Sequence, residues 1–514
     1  MRTGTSVSGL RLKFAGAPSL QFHDLSFAVA PGEKILLLGP SGCGKSTLLQ
    51  VLTGLIPGAI DVPVRYDHID IPTSWGYVFQ DPDTQFCMPF VDEEMAFVLE
   101  NLGVPREEMP ARIREGLTKA GLALDDAHIP IQSLSQGMKQ RLAIASVLAL
   151  QPDVLFLDEP TALLDPEGTR QVWDTMKNVS ADKTVLIVEH KIDKVIDFVD
   201  RVVLFTYDGT ILADGDPNRV FADYAAALRE YGIWYPGVWD DYAAGAPQLT
   251  ARISGQISSS GEHESSGQEL CVLQRFDGYP YRSRQPNPYR SRQPKIHIED
   301  ARVGSGEWIA VVGDNGAGKS TLLQAMMQLI PTSGDYTFLQ RRVRGFKDVS
   351  AGAAYVFQNP EMQFVTNSVY EEAAFGFRRH GQPDVERLTQ ALLSDFGLAD
   401  LKNQHPYQLS LGQKRRLSVA TAMVSQERLV LLDEPTFGQD AANTFAILEK
   451  LEALRREGTT ILMVTHDMEI VRWFATRVWL VERGELAMDA DPGAYLRSAG
   501  LTRQPKREFV QPVV

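Results

Sequence analysis

Apolar and polar residues alternate in Leu10-Arg11-Leu12-Lys13-Phe14 and again in Leu20-Gln21-Phe22, which predicts short strands with one face in a core. Largely apolar runs come next. Residues 34–38, 155–157 and 185–188 in the first half, and 308–312, 430–432 and 461–464 in the second, predict buried strands. Residues 92–121 and 370–397 read as helices; in the first, Met95, Val98, Leu99 and Leu102 share a face before Gly103 and Pro105 break the pattern. The same order of elements occurs twice, so the chain divides into two large repeats. Their boundaries are 1–236 for the first domain, 237–267 for a Ser- and Gly-rich flexible linker and 268–514 for the second domain.

The turns between these elements carry the candidate chemistry. Gly39-Pro40-Ser41-Gly42-Cys43-Gly44-Lys45-Ser46 and Gly313-Asp314-Asn315-Gly316-Ala317-Gly318-Lys319-Ser320 both fit G-x-x-x-x-G-K-[ST], with an offset of 274 (319 minus 45). Each lies between a strand-like run and a helix-like Ser-Thr-Leu-Leu-Gln. Glycines let backbone N–H groups wrap phosphates, and the helix presents its positive end to them. Gly39, Ser41, Gly42, Gly44 and Thr47, with Gly313, Asn315, Gly316, Gly318 and Thr321, are therefore candidate nucleotide contacts. Lys45 and Lys319 would reach the β- and γ-phosphates, and Ser46 and Ser320 would offer hydroxyls to Mg²⁺. Cys43 inside the first loop makes thiol alkylation, with protection by ATP, a check on this placement.

Other strings recur with the loops. Phe79-Gln80-Asp81-Pro82-Asp83-Thr84-Gln85-Phe86 reappears as Phe357-Gln358-Asn359-Pro360-Glu361-Met362-Gln363-Phe364, and one ordinary strand exit would not repeat at this length. Leu134-Ser135-Gln136-Gly137 and Leu409-Ser410-Leu411-Gly412 each lead into a helix. There Ser and Gly serve as a cap and also make a pocket for an anion. Twenty-three residues further on (158 minus 135, 433 minus 410), apolar strands end in Asp158-Glu159 and Asp433-Glu434. Carboxylates at a buried strand end are costly without work, such as Mg²⁺ for the Asp and a water for the Glu. His190 and His466 stand at later strand ends, 32 and 33 residues beyond the Asp (190 minus 158, 466 minus 433). A lone histidine there is ordinarily structural; the recurring lag argues for function. Phe14 and Tyr289, 31 and 30 residues before the loop lysines, are candidate aromatic partners for a purine ring, with Tyr281 as a second choice. The choice is blurred because 280–287 is nearly duplicated at 288–295.

Composition narrows the setting. With 44% apolar and 23% charged residues the chain has ample core material, and a net charge of −14 argues against nucleic acid as its partner. Three scattered cysteines fit neither a disulfide framework nor a Cys-based zinc site, as expected in a reducing compartment. No apolar run approaches a membrane helix, and Met1 to Gly9 lack the apolar core of a signal peptide. A membrane role would run through a partner.

The ordered set of phosphate loop, glutamine loop, helical insert, Leu-Ser-x-Gly signature, Asp-Glu strand and histidine, present twice, resembles the ATPase subunits of ATP-binding-cassette transporters. The Phe-Gln-x-Pro-x-x-Gln-Phe strings resemble those of energy-coupling-factor importers for vitamins and transition metals, and the single-chain layout resembles the ATPase of hydroxymethylpyrimidine/thiamine-type importers. The resemblance implies two tandem domains, each a mixed α/β core with an antiparallel β portion and a helical subdomain. It implies ATP and Mg²⁺, with the two halves closing head to tail. One site would join Lys45, Ser46, Gln80, Asp158, Glu159 and His190 to Ser410, Gly412 and Gln413. The other would join Lys319, Ser320, Gln358, Asp433, Glu434 and His466 to Ser135 and Gly137. Glu159 and Glu434 would polarise water, His190 and His466 would contact the γ-phosphate, and Gln80 and Gln358 would sense Mg²⁺. Met138, where the second signature has Gln413, implies a less tightly closing second site.

The implied partners are an integral membrane scaffold and a small substrate-binding membrane subunit, with the chain at the cytoplasmic face of the membrane. Asp83, Asp92, Glu93, Glu361, Glu371 and Glu372 would be acceptors for scaffold arginines. Competing readings are a soluble tandem ATPase acting on ribosomes or DNA, and a fused sugar-importer ATPase.

Overall fold

A computed structural model describes residues 4–17, 19–162, 164–245, 269–280, 293–424 and 427–501. The chain divides after Val238 into two compact units.

In the first unit the apolar run Lys34–Leu38 lies between the parallel strands Thr184–Val188 and Arg201–Phe205. The sheet continues in parallel through Val154–Asp158 to Trp75–Val78, and one antiparallel strand, Ile211–Gly215, closes its other edge. Strands covered on both faces read as near-continuous apolar runs, and Val154–Asp158 and Thr184–Val188, apolar except at Asp158 and Thr184, are buried throughout. Their register pairs Asp158 with Val188, so the Asp-Glu end and the histidine end emerge side by side. Thr5–Leu12 pairs antiparallel with Phe22–Val29, Val64–Arg65 and His68–Asp70 in a separate sheet. A helical portion packs Val91–Asn101, Met109–Lys119 and Gln136–Ala149 around Met95, Leu99, Ile113, Leu117 and Leu142.

The second unit repeats this plan in one ten-stranded sheet. Its parallel core is Arg477–Glu482, Trp308–Val312, Thr460–Val464, Leu429–Asp433 and Ala353–Val356. The antiparallel portion, Glu269–Gly278 with Ile296–Gly304 and Thr332–Phe338, joins that core through the single parallel pair His297–Glu485.

Three expectations need correction or restriction. The helices expected over 92–121 and 370–397 are each two: Val91–Asn101 with Met109–Lys119, and Val369–Arg379 with Val385–Asp395. Leu102 lies beyond the first of these and is exposed, because Gly103 in the left-handed region turns the chain away. Residues 238–245, expected to be linker, form a helix in which Tyr242 stacks on Phe445 (4.0 Å between centroids) and donates to Glu449 at 3.0 Å. The remainder of the expected linker, Tyr281 and Tyr289 lie outside the described residues.

Candidate functional site

In both units the phosphate-loop motif sits where a central strand ends and a helix begins. The helices Lys45–Leu52 and Lys319–Met326 start on Gly44 (φ 104°) and Gly318 (φ 115°), left-handed positions that other residues resist. A Cβ on Gly44 would also stand 2.7 Å from the Phe22 ring. Neither helix carries an acidic residue of its own in its first turn. The loop wraps its lysine: Lys45 Nζ donates to the carbonyls of Gly39 (2.8 Å) and Pro40 (3.0 Å), and Lys319 Nζ to those of Gly313 (2.7 Å) and Asp314 (2.9 Å). Cys43 is buried, with Sγ 3.8 Å from Lys45 Nζ, and burial raises its thiol pKa. Alkylation at Cys43 is therefore a poor probe of the loop, contrary to the sequence-based expectation.

Ser46 Oγ donates to Asp158 Oδ1 at 2.7 Å, and Ser320 Oγ to Asp433 Oδ1 at 3.1 Å. The second carboxylate oxygen accepts from a tyrosine, Tyr77 at 2.8 Å and Tyr355 at 3.4 Å. Burial pushes the Asp158 carboxyl up and that of Asp433 to about 6, against the pull of these hydrogen bonds. Among the described residues no group of three or more His, Cys, Asp or Glu side chains could hold a metal alone. One hydroxyl and one carboxylate per site suit Mg²⁺, which takes one or two protein ligands and fills its octahedron with phosphate oxygens and water.

The next residue in each unit, Glu159 or Glu434, has φ of 48° or 53°. Left-handed backbone costs a glutamate roughly 1 kcal/mol or more and persists where the surroundings enforce it. Here the neighbouring strand does so: Glu159 N–H donates to Val188 O (2.8 Å) and Glu434 N–H to Val464 O (3.2 Å). His190 Nε2 lies 3.0 Å from Glu159 Oε1, and His466 Nε2 lies 3.4 Å from Glu434 Oε1. Burial alone would raise the Glu159 carboxyl; His190 beside it outweighs that and holds it low, while Glu159 correspondingly raises the His190 imidazole. Glu434 is held low in the same way. The glutamines complete the group, Gln80 Nε2 donating to Glu159 at 2.7 Å and Gln358 Nε2 to Glu434 at 3.3 Å. The structure thus brings these amides, expected at the metal, to the glutamates.

Ser135 and Ser410 cap the signature helices by accepting from the N–H of Met138 and of Gln413, both at 3.3 Å. Gln413 returns a second bond, its Oε1 accepting from Ser410 N–H at 2.9 Å, to complete a capping box that Met138 cannot make. The difference read from sequence as an interface defect is therefore first a local one. Gly137 and Gly412 lie in the first turn of these helices. Phe14 stands past the end of its strand, 38% exposed, so it is not a core residue.

Several contacts of these segments were not foreseen from the sequence. Gln85 donates to Ala143 O (3.0 Å) and Gln363 to Ser418 O (2.8 Å), which pins each glutamine loop to its signature helix. Lys139–Asp83 (2.7 Å) and Lys414–Glu361 (2.5 Å) reinforce the attachment. The repeated Gln and Lys were visible in both strings. Asp92 pairs with His128, Glu371 with Arg378, and Glu372 is buried, accepting from Thr366 N–H at 2.8 Å. Of the six acids expected to be free for arginines, five are thus already engaged; Glu93 is left. Arg415, where the first unit has Gln140, is buried with its pKa lowered to about 10 by burial. Glu189, where the second unit has Thr465, is buried, and burial pushes it up to about 7.

A family model described as ABC transporter matches residues 22–162 and 299–437. The chain is 36% identical over 520 residues to the "Putative HMP/thiamine import ATP-binding protein YkoD" of Bacillus subtilis, covering 94% of this chain and 91% of that one. It is 34% identical to a "Putative ABC transporter ATP-binding protein" of Methanosarcina acetivorans, covering 91% and 82%. Among solved structures, an archaeal ribosome recycling factor in complex with a ribosomal stalk protein is similar with a TM-score of 0.60, at 18% identity, over 96% of this chain and 94% of that one, a likeness of fold alone. The chain belongs to the ABC transporter family, as an importer-type ATPase with two ATPase domains on one polypeptide.

Proposed function

We propose that this chain powers an energy-coupling-factor importer for a vitamin or its precursor, with a hydroxymethylpyrimidine or thiamine-type cargo as the first choice and a transition metal such as cobalt as the second. The observation that carries this reading is the identity, over nearly the whole of both chains, to a relative named for HMP/thiamine import. The paired Phe-Gln-x-Pro-x-x-Gln-Phe strings support it independently. ATP is the substrate consumed. The phosphate loops around Lys45 and Lys319 would bind its phosphates. Ser46 with Asp158, and Ser320 with Asp433, would hold Mg²⁺, whose role is to neutralise charge on the phosphates.

Glu159 and Glu434 would orient and polarise the attacking water, and His190 and His466 would steady the γ-phosphate. Positioning of this kind is most of what phosphoryl transfer asks of a protein. Gln80 and Gln358 would release or engage the glutamates as the glutamine loops respond to a membrane partner. Completion of each site by the signature residues of the other half, Ser410, Gly412 and Gln413 or Ser135 and Gly137, belongs to this proposal, as do purine stacking on Phe14 and Tyr289.

No helix among the described residues is long and apolar enough to cross a membrane. The proposed location is the cytoplasmic face of the membrane, held by an integral scaffold subunit and a small substrate-binding membrane subunit. Extraction from native membranes in mild detergent, with co-purifying proteins identified by mass spectrometry, tests this. A multi-span scaffold with a small membrane protein is the expected result. Recovery solely from the soluble fraction, with ribosomes or nucleic acid, would replace transport by the soluble-ATPase reading.

A further inference from the structure

Glu189 immediately precedes His190, one of the two residues proposed to carry hydrolysis in the first unit, yet no step of the proposed hydrolysis uses it. The residue is 3% exposed. One oxygen accepts from the Thr161 hydroxyl at 2.7 Å, and the other from the backbone N–H of His190 at 3.0 Å. Thr161 opens the loop two residues after Glu159 and is itself buried. A single side chain thus connects the segment leaving Glu159 to the strand end carrying His190. Burying a carboxylate that has hydrogen bonds but no direct ion pair is costly, so this connection is made at the expense of stability.

The second unit provides an internal comparison. There the position is Thr465, whose hydroxyl accepts from Asp467 N–H at 3.0 Å, and Thr436, the counterpart of Thr161, is only partly buried. The contacts of the reacting group lengthen together. The histidine–glutamate separation is 3.0 Å in the first unit and 3.4 Å in the second; the glutamine–glutamate bond is 2.7 Å against 3.3 Å. His466 Nε2 is buried, and its 3.4 Å approach to Glu434 falls short of hydrogen-bond geometry.

We propose that Glu189 is a positioning residue of the first site, tying the loop after Glu159 to the strand end of His190 and so fixing that pair for ATP hydrolysis, a tie the second site lacks. The inference rests on the reading of Glu159 and His190 as the hydrolytic pair. It makes the two sites unequal by construction: the first is preorganised, whereas the second must be organised during turnover.

The test uses the full chain with Glu434→Gln, so that turnover reports the first site. Glu189→Thr, the second unit's residue, is expected to lower kcat about tenfold with KM for ATP changed less than about twofold, the pattern of lost positioning rather than lost binding. Glu189→Gln can still accept from His190 N–H and bond to Thr161, and should restore kcat to within about twofold of its parent. Thr161→Val, which removes the hydroxyl at nearly constant volume, should reproduce the loss and covers the case in which Glu189→Thr fails to fold. Hydrogen exchange on the nucleotide-free chain gives a second readout: amides of Thr161 and Ala162 should exchange faster in Glu189→Thr and Thr161→Val but not in Glu189→Gln. Unchanged kcat in Thr161→Val, or Glu189→Gln as impaired as Glu189→Thr, would overturn the proposal. If the Glu159→Gln, Glu434→Gln double variant still hydrolysed ATP, the underlying reading would fall instead; an inactive double variant with a normal Glu189→Thr removes this inference alone.

Discussion

The side-chain amide of Gln80 donates to the carboxylate of Glu159 across 2.7 Å, joining the loop that leaves one edge strand to the end of the strand beside it. A neutral donor is the group that this position requires, because Glu159 already keeps its charge against burial by virtue of His190.

Replacing Gln80 by Glu should therefore be worse than simple removal. Two carboxylates at hydrogen-bonding distance cannot both ionise readily, so one pKa rises, and the acid limb of the pH–rate profile should move up by about one unit or more. Turnover against pH for Gln80→Glu in a Glu434→Gln chain measures this; an acid limb in the parent's place would contradict the assignment.

Gln363 bonds Ser418 O (2.8 Å), the Thr421 hydroxyl (2.7 Å) and the Ser418 hydroxyl (3.0 Å). Gln363→Leu leaves these partners unmatched and should destabilise the protein by roughly 1–3 kcal/mol, read from denaturant unfolding. A loss below about 0.5 kcal/mol would mean the bonds contribute little beyond those to water.

The Lys139–Asp83 pair is half sheltered, with the lysine side chain 12% and the aspartate 46% exposed. A double-mutant cycle with Lys139→Met and Asp83→Asn should give a coupling of about 0.5–1 kcal/mol that shrinks with added salt. No coupling at low salt would show the loop to be held by Gln85 and by the Gln140–Phe79 O bond without help from the ion pair.

Glu189 gives a pH prediction with a definite sign. Its folded pKa of about 7 exceeds the ordinary glutamate value of 4.5, so the folded state retains a proton that the unfolded state releases. The contribution of Glu189 to stability accordingly falls as pH rises from 4.5 to about 7, and its full burial cost applies above that range. Glu189→Gln does not titrate there, and Glu159 and His190 are common to both proteins. Its stability relative to the parent should rise between pH 5 and pH 8, by an amount on the order of 2–3 kcal/mol. A difference independent of pH would contradict the burial of the ionised group.

How far the sequence reaches is clear from particular residues. Asp158, Glu159 and His190 were legible because strand-end chemistry leaves an apolar run next to a polar residue, and the repeat verified the spacing. The parallel register that sets Asp158 against Val188 follows from those runs once they share a sheet. Glu189 was not legible: a glutamate at a strand end reads as solvated, and its burial depends on Thr161, 28 residues away. The left-handed φ at Glu159 was hidden for a similar reason, since a neighbouring strand imposes it. Residues 238–245 were read as linker because the Ser- and Gly-rich stretch beyond them dominates the composition, whereas Tyr242 finds its stacking partner two hundred residues further on at Phe445.

The central claim is that the two glutamates run two hydrolytic sites of unequal quality. Steady-state ATP hydrolysis by the parent chain, Glu159→Gln, Glu434→Gln and the double variant tests it most directly. The account predicts that the double variant loses turnover by about a hundredfold or more and that Glu159→Gln costs more than Glu434→Gln. Equal losses from the two single changes would contradict the inequality, and persistent turnover in the double variant would contradict the sites themselves.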